Sequence, residues 1–268
     1  MSRYEVMFAN LRACQEGAFG AFVMLGDPDL ATSARLLDAL VEGGADMLEV
    51  GIPFSDPIAD GPTIQAAATR ALSAGVTPPD CLRLLSEFRQ RHASMPVGLL
   101  TYANLELAPG RDAFYRACAA AGVDSVLVAD VPSLEAAPFA ASARAAGVSP
   151  VMIAAPNTPE HALARVAGLG EGYTYCVARS GVTGAERAME LDHSELFASL
   201  DRHLAPPPVL GFGISTPDHV RTALAAGAAG VISGSAIVKL AEAGDLRAVR
   251  GFVAQMKAAT RSPASPGN

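Results

Sequence analysis

The chain has 268 residues, half of them apolar, so it can bury a large core, and its length suits a single (β/α)8 barrel. The formal net charge is −7 and the basic residues are scattered, which argues against nucleic acid and anionic membrane surfaces as main partners. No apolar run approaches the ~20 residues of a membrane span. We therefore expect a cytoplasmic protein.

The first residues predict a helix that precedes the barrel. Tyr4, Met7, Phe8 and Leu11 form an amphipathic pattern without the continuous apolar core of a signal peptide. The cysteines lie far apart and show no CxxC or CxxH spacing, so we expect reduced, buried thiols. They are Cys14, Cys81, Cys118 and Cys176.

Eight short apolar runs predict strands, and Ala-rich segments with apolar residues at three- and four-residue spacing predict helices between them. The predicted strands are 21–25, 47–51, 97–102, 125–130, 150–155, 173–178, 208–213 and 229–234. The predicted helices include 30–43, 79–92, 112–122, 135–147, 160–170 and 218–227. Because the strands are almost entirely apolar and alternate with helices, the pattern indicates a closed parallel barrel.

Glycines mark the places where helices end. Gly44, Gly122, Gly147 and Gly227 each stand between an Ala-rich stretch and a β-branched run, where a left-handed residue stops a helix at least cost. We expect one barrel domain over residues 1–260 and a disordered, Pro-rich tail at 261–268. The gaps after the second and sixth strands are long, which makes residues 53–65 and 179–195 candidate lids and interface elements.

Glycine-rich turns after the last two strands predict a phosphate site. GFGIST (211–216) and SGS (233–235) both lead into helices, and backbone N–H groups at helix starts attract anions. Gly213, Gly234 and Ser235 are the candidates, and Gly184 of SGVTG can join them. One such turn alone would more often be a tight turn without a ligand, whereas two after adjacent strands favour a ligand.

Glu49 is the leading candidate for acid–base chemistry. Strand alternation places Met47, Glu49 and Gly51 on one side of the second strand and Leu48 and Val50 on the other. The covering helices need the apolar pair, so Glu49 should point into the barrel mouth. Desolvation there raises a carboxyl pKa toward the operating pH. The alternative is a structural ion pair with an arginine.

Other polar side chains end strands or follow them. Asp60 and Asp56 lie in the loop after the second strand, and Tyr102 and Tyr175 lie at strand ends, where packing with the hydroxyl at the rim is an equal alternative. Asp130 is either a rim carboxylate or a turn or helix-cap residue.

The lysines and histidines exclude two mechanisms. Lys239 and Lys257 are the only lysines and neither ends a strand, which argues against a Schiff-base aldolase. The five histidines show no paired spacing, so no metal site is expected.

Five segments carry a resemblance to a known family. They are MLEVGIPFSDPIADGPTIQ (47–65), GVDSVLVADVP (122–132), RSGVTGAE (179–186), GFGIS (211–215) and GAAGVISGSAIV (227–238). From about residue 3 to residue 257 the chain resembles the α subunit of tryptophan synthase. The resemblance implies a TIM barrel that cleaves indole-3-glycerol phosphate to indole and glyceraldehyde 3-phosphate, a retro-aldol step without metal or Schiff base.

The resemblance also implies residue roles. Glu49 resembles the acid–base, Asp60 the carboxylate that stabilises positive charge at the indole N–H, and Tyr175 an assisting hydroxyl. Thr183 resembles a lid residue that meets Asp60 on closure. The positions that match the indole pocket are Phe22, Leu100, Leu127, Ala129, Ile153, Phe212 and Ile232. The positions that match the phosphate cradle are Gly184, Gly213, Gly234 and Ser235.

A partner is implied in the same way. Members of this family pair with a pyridoxal-phosphate β subunit in an α2β2 tetramer, and indole passes between the sites. The cofactor belongs to the β subunit, so this chain is expected to bind none. The residues implied in the contact are Pro53, Phe54, Asp56, Pro57, Asn104 and Pro132.

Two other functions are alternatives to the lyase. One is a ligand-sensing regulatory subunit whose main effect is to activate its partner, motivated by the Pro-restrained loop beside the lid. The other is a different phosphate-binding barrel such as an isomerase, which would require catalytic residues after the first and eighth strands that the sequence lacks.

Overall fold

The computed structural model describes residues 1–177 and 193–261. Its strands are β1 Ala18–Met24, β2 Met47–Gly51, β3 Val97–Thr101, β4 Ser125–Val128, β5 Ser149–Pro150, β6 Met152–Ala154, β7 Thr174–Cys176, β8 Pro208–Leu210 and β9 Gly230–Ser233. Its helices are α1 Arg3–Ala13, α2 Leu30–Glu42, α3 Pro62–Ser73, α4 Pro78–Arg91, α5 Ala103–Leu107, α6 Arg111–Ala120, α7 Ala137–Ala145, α8 Glu160–Leu169, α9 Ser194–Arg202, α10 Pro217–Ala225, α11 Ser235–Glu242 and α12 Leu246–Ala258.

All strand pairs are parallel, and β1 lies between β2 and β9, which joins the two ends of the strand sequence. The fifth barrel strand is split in two. Its first part, β5, pairs with β4, the Val151 N–H donates to the Val126 carbonyl at 2.9 Å, and β6 then pairs with β7. The strands therefore close into a single-domain (β/α)8 barrel, which confirms the predicted fold.

Each strand contributes to two separate apolar layers. Met47 faces the barrel interior with Phe22 and Ile232, whereas Leu48 and Val50 face the helices. This is the alternation predicted for the second strand, and it leaves Glu49 on the interior side.

The extra helix α1 covers the amino ends of the strands. Ser2 and Glu5 form a capping box at its start, which fixes where the helix begins. Tyr4 is fully buried, its ring centroid lies 5.3 Å from that of Tyr173, and its hydroxyl lies 2.9 Å from the Ser125 Oγ. The predicted N-terminal helix is thus confirmed, and it closes the barrel end opposite to the cavity described below.

Helix ends follow the predicted glycines. Gly44, Gly122, Gly147 and Gly227 all have positive φ, between 75° and 108°. The sequence did not predict α3, α5 and α9, and α3 takes up the end of the predicted loop at 53–65. Within the described ranges, no helix has the length and apolar character needed to cross a membrane.

The two ends of the barrel sequence meet at its amino side. Glu16 and Arg261 form an antiparallel bridge, and the Gly17 N–H donates to the Thr260 carbonyl at 3.0 Å. The rest of the predicted tail, 262–268, lies outside the described residues. The four cysteines are free thiols, but Cys14 is exposed, so the prediction of a buried thiol was wrong at that position, which faces solvent at the end of α1.

Candidate active site

One large cavity opens at the carboxyl ends of the strands. Its volume is about 1310 Å³. Asp60, Tyr175 and all the candidate apolar and phosphate residues that the structure describes line it. These are Phe22, Leu100, Leu127, Ala129, Ile153, Phe212, Gly213, Ile232, Gly234 and Ser235. Thr183 and Gly184 lie outside the described residues. The residues chosen from the sequence are therefore brought together around one space.

Glu49 lies just below this cavity and is 1% exposed. The Tyr173 hydroxyl donates to its Oε1 at 3.0 Å, and its Oε2 has no hydrogen-bond partner in the part of the chain that is described. Burial raises the pKa of Glu49 to about 8, although the Tyr173 hydrogen bond opposes the shift. The carboxyl group is therefore protonated at neutral pH. Among the described residues its hydrogen-bond partner is Tyr173 and not an arginine, which favours the acid–base interpretation over the structural ion pair.

Asp60 is the second carboxyl group of the site. It is 8% exposed, and burial raises its pKa to about 6, while a hydrogen bond from Tyr102 acts in the opposite direction. The Tyr102 hydroxyl also accepts from the Ala59 N–H at 3.2 Å, which fixes the loop next to Asp60. At neutral pH the site thus has one neutral carboxyl group, Glu49, and one charged carboxyl group, Asp60. The two groups can therefore have different roles in catalysis.

Tyr175 donates its hydroxyl to the Gly211 carbonyl at 3.1 Å and forms an edge contact with Phe212. A Cβ at Gly211 would overlap the Tyr175 ring, so only glycine fits there. Tyr175 therefore shapes the cavity wall, and its hydroxyl is already occupied by the backbone.

The predicted phosphate turns lie at the starts of two helices. The α11 helix begins at Ser235 after Gly234, with no side-chain cap on its first N–H groups. Gly213 has a φ of 74°, and its carbonyl lies 2.9 Å from Nδ1 of His219 on α10. Free N–H groups at a helix start form an anion site. Lys239, one turn into α11, also lines the cavity and adds a positive charge that the turns themselves lack.

The loops beside the cavity carry the implied partner contacts. Pro53 is buried within the chain, Phe54 stacks on Tyr102 with ring centroids 5.2 Å apart, and Asp56, Asn104 and Pro132 are exposed, with Pro57 half-buried. Large apolar side chains on the same three βα connections, the second of which contains α5, face solvent. Their exposed fractions are 70% for Ile58, 51% for Leu107 and 69% for Leu134.

Some functional candidates escaped the sequence analysis. Tyr173 is two residues before Tyr175, so the same alternation that placed Tyr175 could have placed it beside Glu49. Lys239 could have been found from its helical spacing to Ser235. Asp130 lines the cavity as a rim carboxylate, and it also accepts from the Ala103 N–H at 2.8 Å at the start of α5, so its two predicted roles do not exclude each other. No group of three potential metal ligands occurs within 1–177 and 193–261.

Comparison with known proteins identifies the family. The sequence pattern of the family described as "Tryptophan synthase alpha chain" matches residues 8–263. The chain belongs to this family. The alpha chain of Klebsiella pneumoniae subsp. pneumoniae is 53% identical over 268 residues, which cover 98% of this chain and 100% of that one. The alpha chain of Shewanella amazonensis is also 53% identical, over 97% of this chain and all of its own.

Solved structures from the family have the same fold. A tryptophan synthase structure from Mycobacterium tuberculosis has a TM-score of 0.89 at 32% identity, covering 98% of this chain and 99% of the other. The alpha subunit from Legionella pneumophila has a TM-score of 0.85 at 31% identity, covering 97% and 98%. Membership of the family confirms the predicted resemblance and the lyase function that it implies.

Proposed function

We propose that this chain cleaves indole-3-glycerol phosphate to indole and glyceraldehyde 3-phosphate, with Glu49 and Asp60 as its catalytic residues. The observation that carries the proposal is a protonated, buried Glu49 beside a charged Asp60 at one cavity whose other side is the start of α11. The apolar wall between them suits an indole ring, and the helix start suits a phosphate.

The proposed chemistry uses the Glu49 carboxyl group twice, first as an acid and then as a base. Glu49 donates its proton to C3 of the indole, and the carboxylate then accepts the proton of the hydroxyl on the adjoining glycerol carbon. The O–H electrons form the aldehyde carbonyl, the C–C bond breaks, and its electron pair restores the aromatic indole. Asp60, ionised above pH about 6, stabilises the positive charge at the indole N–H.

Glu49 must turn toward the substrate for this step, because its carboxyl now contacts Tyr173 below the cavity. The free Oε2 makes this rotation inexpensive, since a single hydrogen bond is exchanged for a contact with the substrate. Tyr173 thus serves as a resting partner that holds the Glu49 carboxyl in place until substrate enters, while burial keeps that carboxyl neutral.

The test of catalysis is the turnover of Glu49→Gln and Asp60→Asn. Loss of a positioned general acid–base costs about 10²–10⁴ in rate, so we expect kcat to fall by that factor for Glu49→Gln. Glu106→Gln is the matched control, because Glu106 is equally buried and also has a pKa near 8, but it lies on α5 beside Tyr115 of α6 and not on a barrel strand. Turnover by a folded Glu49→Gln protein at the wild-type rate would exclude the mechanism.

We also propose that the loops carrying Phe54, Asn104 and Pro132 bind a pyridoxal-phosphate β subunit in an α2β2 tetramer. The exposed Ile58, Leu107 and Leu134 support this, because apolar side chains gathered at one end of a barrel favour a protein partner. The cofactor would then lie on the partner alone, and the free thiols are consistent with a place in the cytoplasm.

Binding of a partner can affect Asp60 through contacts between side chains. Phe54 stacks on Tyr102, and the Tyr102 hydroxyl lowers the pKa of Asp60, so a partner that moves Phe54 also moves a group that sets the pKa of Asp60. The lyase and the regulatory subunit can be distinguished by titrating the chain with a β subunit and measuring the consumption of indole-3-glycerol phosphate. A strong rise in indole release supports a lyase, whereas activation of the partner without indole release supports a regulatory subunit.

A further inference from the structure

The wall of the cavity is open where the fifth strand is split. The last hydrogen bond between the fourth and fifth strands joins Val151 to Val126, and beyond it β4 and β6 are not paired with each other. The cavity continues through this seam, because its lining includes both the inward Leu127 and the outward Val126 and Val128 of the same strand.

The space behind the seam lies between the sheet and α7. Val128 and Met152 point toward the helix layer yet remain partly exposed, whereas the outward residues of β2, Leu48 and Val50, are 0% exposed. The reason is local: α7 has nine residues, and the side chains that it buries against the sheet are the small ones of Ala140 and Ala143, while Phe139 lies at the edge of the gap. Small residues there leave a gap that larger ones fill elsewhere.

From these observations we infer that this lateral branch of the cavity is a second binding site, for a small uncharged aromatic molecule of about the size of indole. The branch is defined by Tyr115, Val126, Val128, Phe139, Ala140 and Met152. None of these residues has a role in the proposed reaction.

The lining determines the chemistry of the occupant. None of the six side chains is charged, so an ionic ligand such as a phosphate ester would lose its hydration without compensation. Two aromatic rings and a thioether line the branch, and both prefer contact with an aromatic ring. The whole cavity, at about 1310 Å³, also exceeds the roughly 300–1000 Å³ of an ordinary ligand pocket, which leaves room for two molecules.

The absence of tryptophan from the sequence allows a direct measurement. Indole fluorescence can be excited without any protein indole, so its blue shift reports entry into an apolar site. We expect two indole sites per wild-type chain. Ala140→Leu fills the branch and should leave one, whereas Ala137→Leu, the same change at an exposed position of α7, should leave two. One site in the wild type, or two in a folded Ala140→Leu protein, would overturn the inference.

A second measurement needs no substitution in the branch. In protein labelled at the methionine methyl groups, saturating indole should shift the Met152 signal by its ring current. Met256, on the buried face of α12 and not in the cavity lining, serves as the control. The Met152 signal is assigned with Met152→Leu. An unmoved Met152 signal would refute the site. Turnover of indole-3-glycerol phosphate is measured separately, so a failed reaction and an empty branch remain distinguishable.

Discussion

Replacement of Glu106 by glutamine should stabilise the protein in a pH-dependent way. Glu106 lies on the short helix α5 and is 0% exposed, and neither of its carboxylate oxygens is in hydrogen-bonding geometry with a partner among the described residues. Burial raises its pKa to about 8, and the nearby Tyr115 hydroxyl offsets only part of this effect. Asp130, also close, raises it further, and Arg111 lowers it slightly.

The size of the effect follows from proton linkage. A raised carboxyl pKa costs nothing below pH 4.5, where both states are protonated, and the cost grows up to pH about 8 as only the unfolded state ionises. A tenfold change in proton affinity corresponds to about 1.4 kcal/mol, so the wild type loses about 3 kcal/mol between pH 4.5 and pH 7 through this residue. Glutamine does not titrate and avoids that loss.

The assay is urea unfolding followed by circular dichroism at pH 5, 6, 7 and 8. The difference in unfolding free energy between Glu106→Gln and wild type should grow steadily with pH. Other buried carboxyl groups such as Glu49 are common to both proteins and cancel. Glu87→Gln, an exposed change on α4, should give no such trend. A difference that stays constant from pH 5 to pH 8 would refute the reasoning.

Three further predictions concern the site. Tyr173→Phe removes the donor that lowers the pKa of Glu49, so the alkaline limb of the kcat profile should move to higher pH, and an unmoved limb would contradict this. Gly211→Ala forces a Cβ against the Tyr175 ring and should lower both kcat/KM and the melting temperature, at a cost of about 1–3 kcal/mol; unchanged values would mean that the ring has room to move. Lys239→Ala should raise KM severalfold without loss of stability, because the side chain is exposed at the cavity rim, while Lys239→Arg should retain the wild-type KM.

The barrel could be predicted because the sequence features that indicate it act over only a few residues. Left-handed glycines such as Gly44 and Gly227 stop helices through backbone sterics alone, and alternation in β2 suffices to place Glu49 inside. The split of the fifth strand could not be predicted, since residues 150–155 are apolar throughout and the break arises from pairing with different neighbours on its two sides.

The site was predictable in its residue types and less so in its contacts. Glu106 was missed because a glutamate in a five-residue helix resembles a surface residue until the packing of α6 over it is known. The resting contact between Tyr173 and Glu49 joins residues 124 positions apart, so only the closed barrel brings them together.

The bridge between Glu16 and Arg261 has a consequence for engineering. Because these residues lie side by side, the barrel elements from β1 to α12 form a nearly closed ring. The covalent connection could therefore be interrupted at another point of that ring. A linker from Arg261 to the start of α1, which keeps that helix in place, with new ends at the exposed turn of Gly147, should give a circularly permuted protein that folds. Both changes lie on the face away from the cavity, so fusion partners attached there would leave substrate entry free.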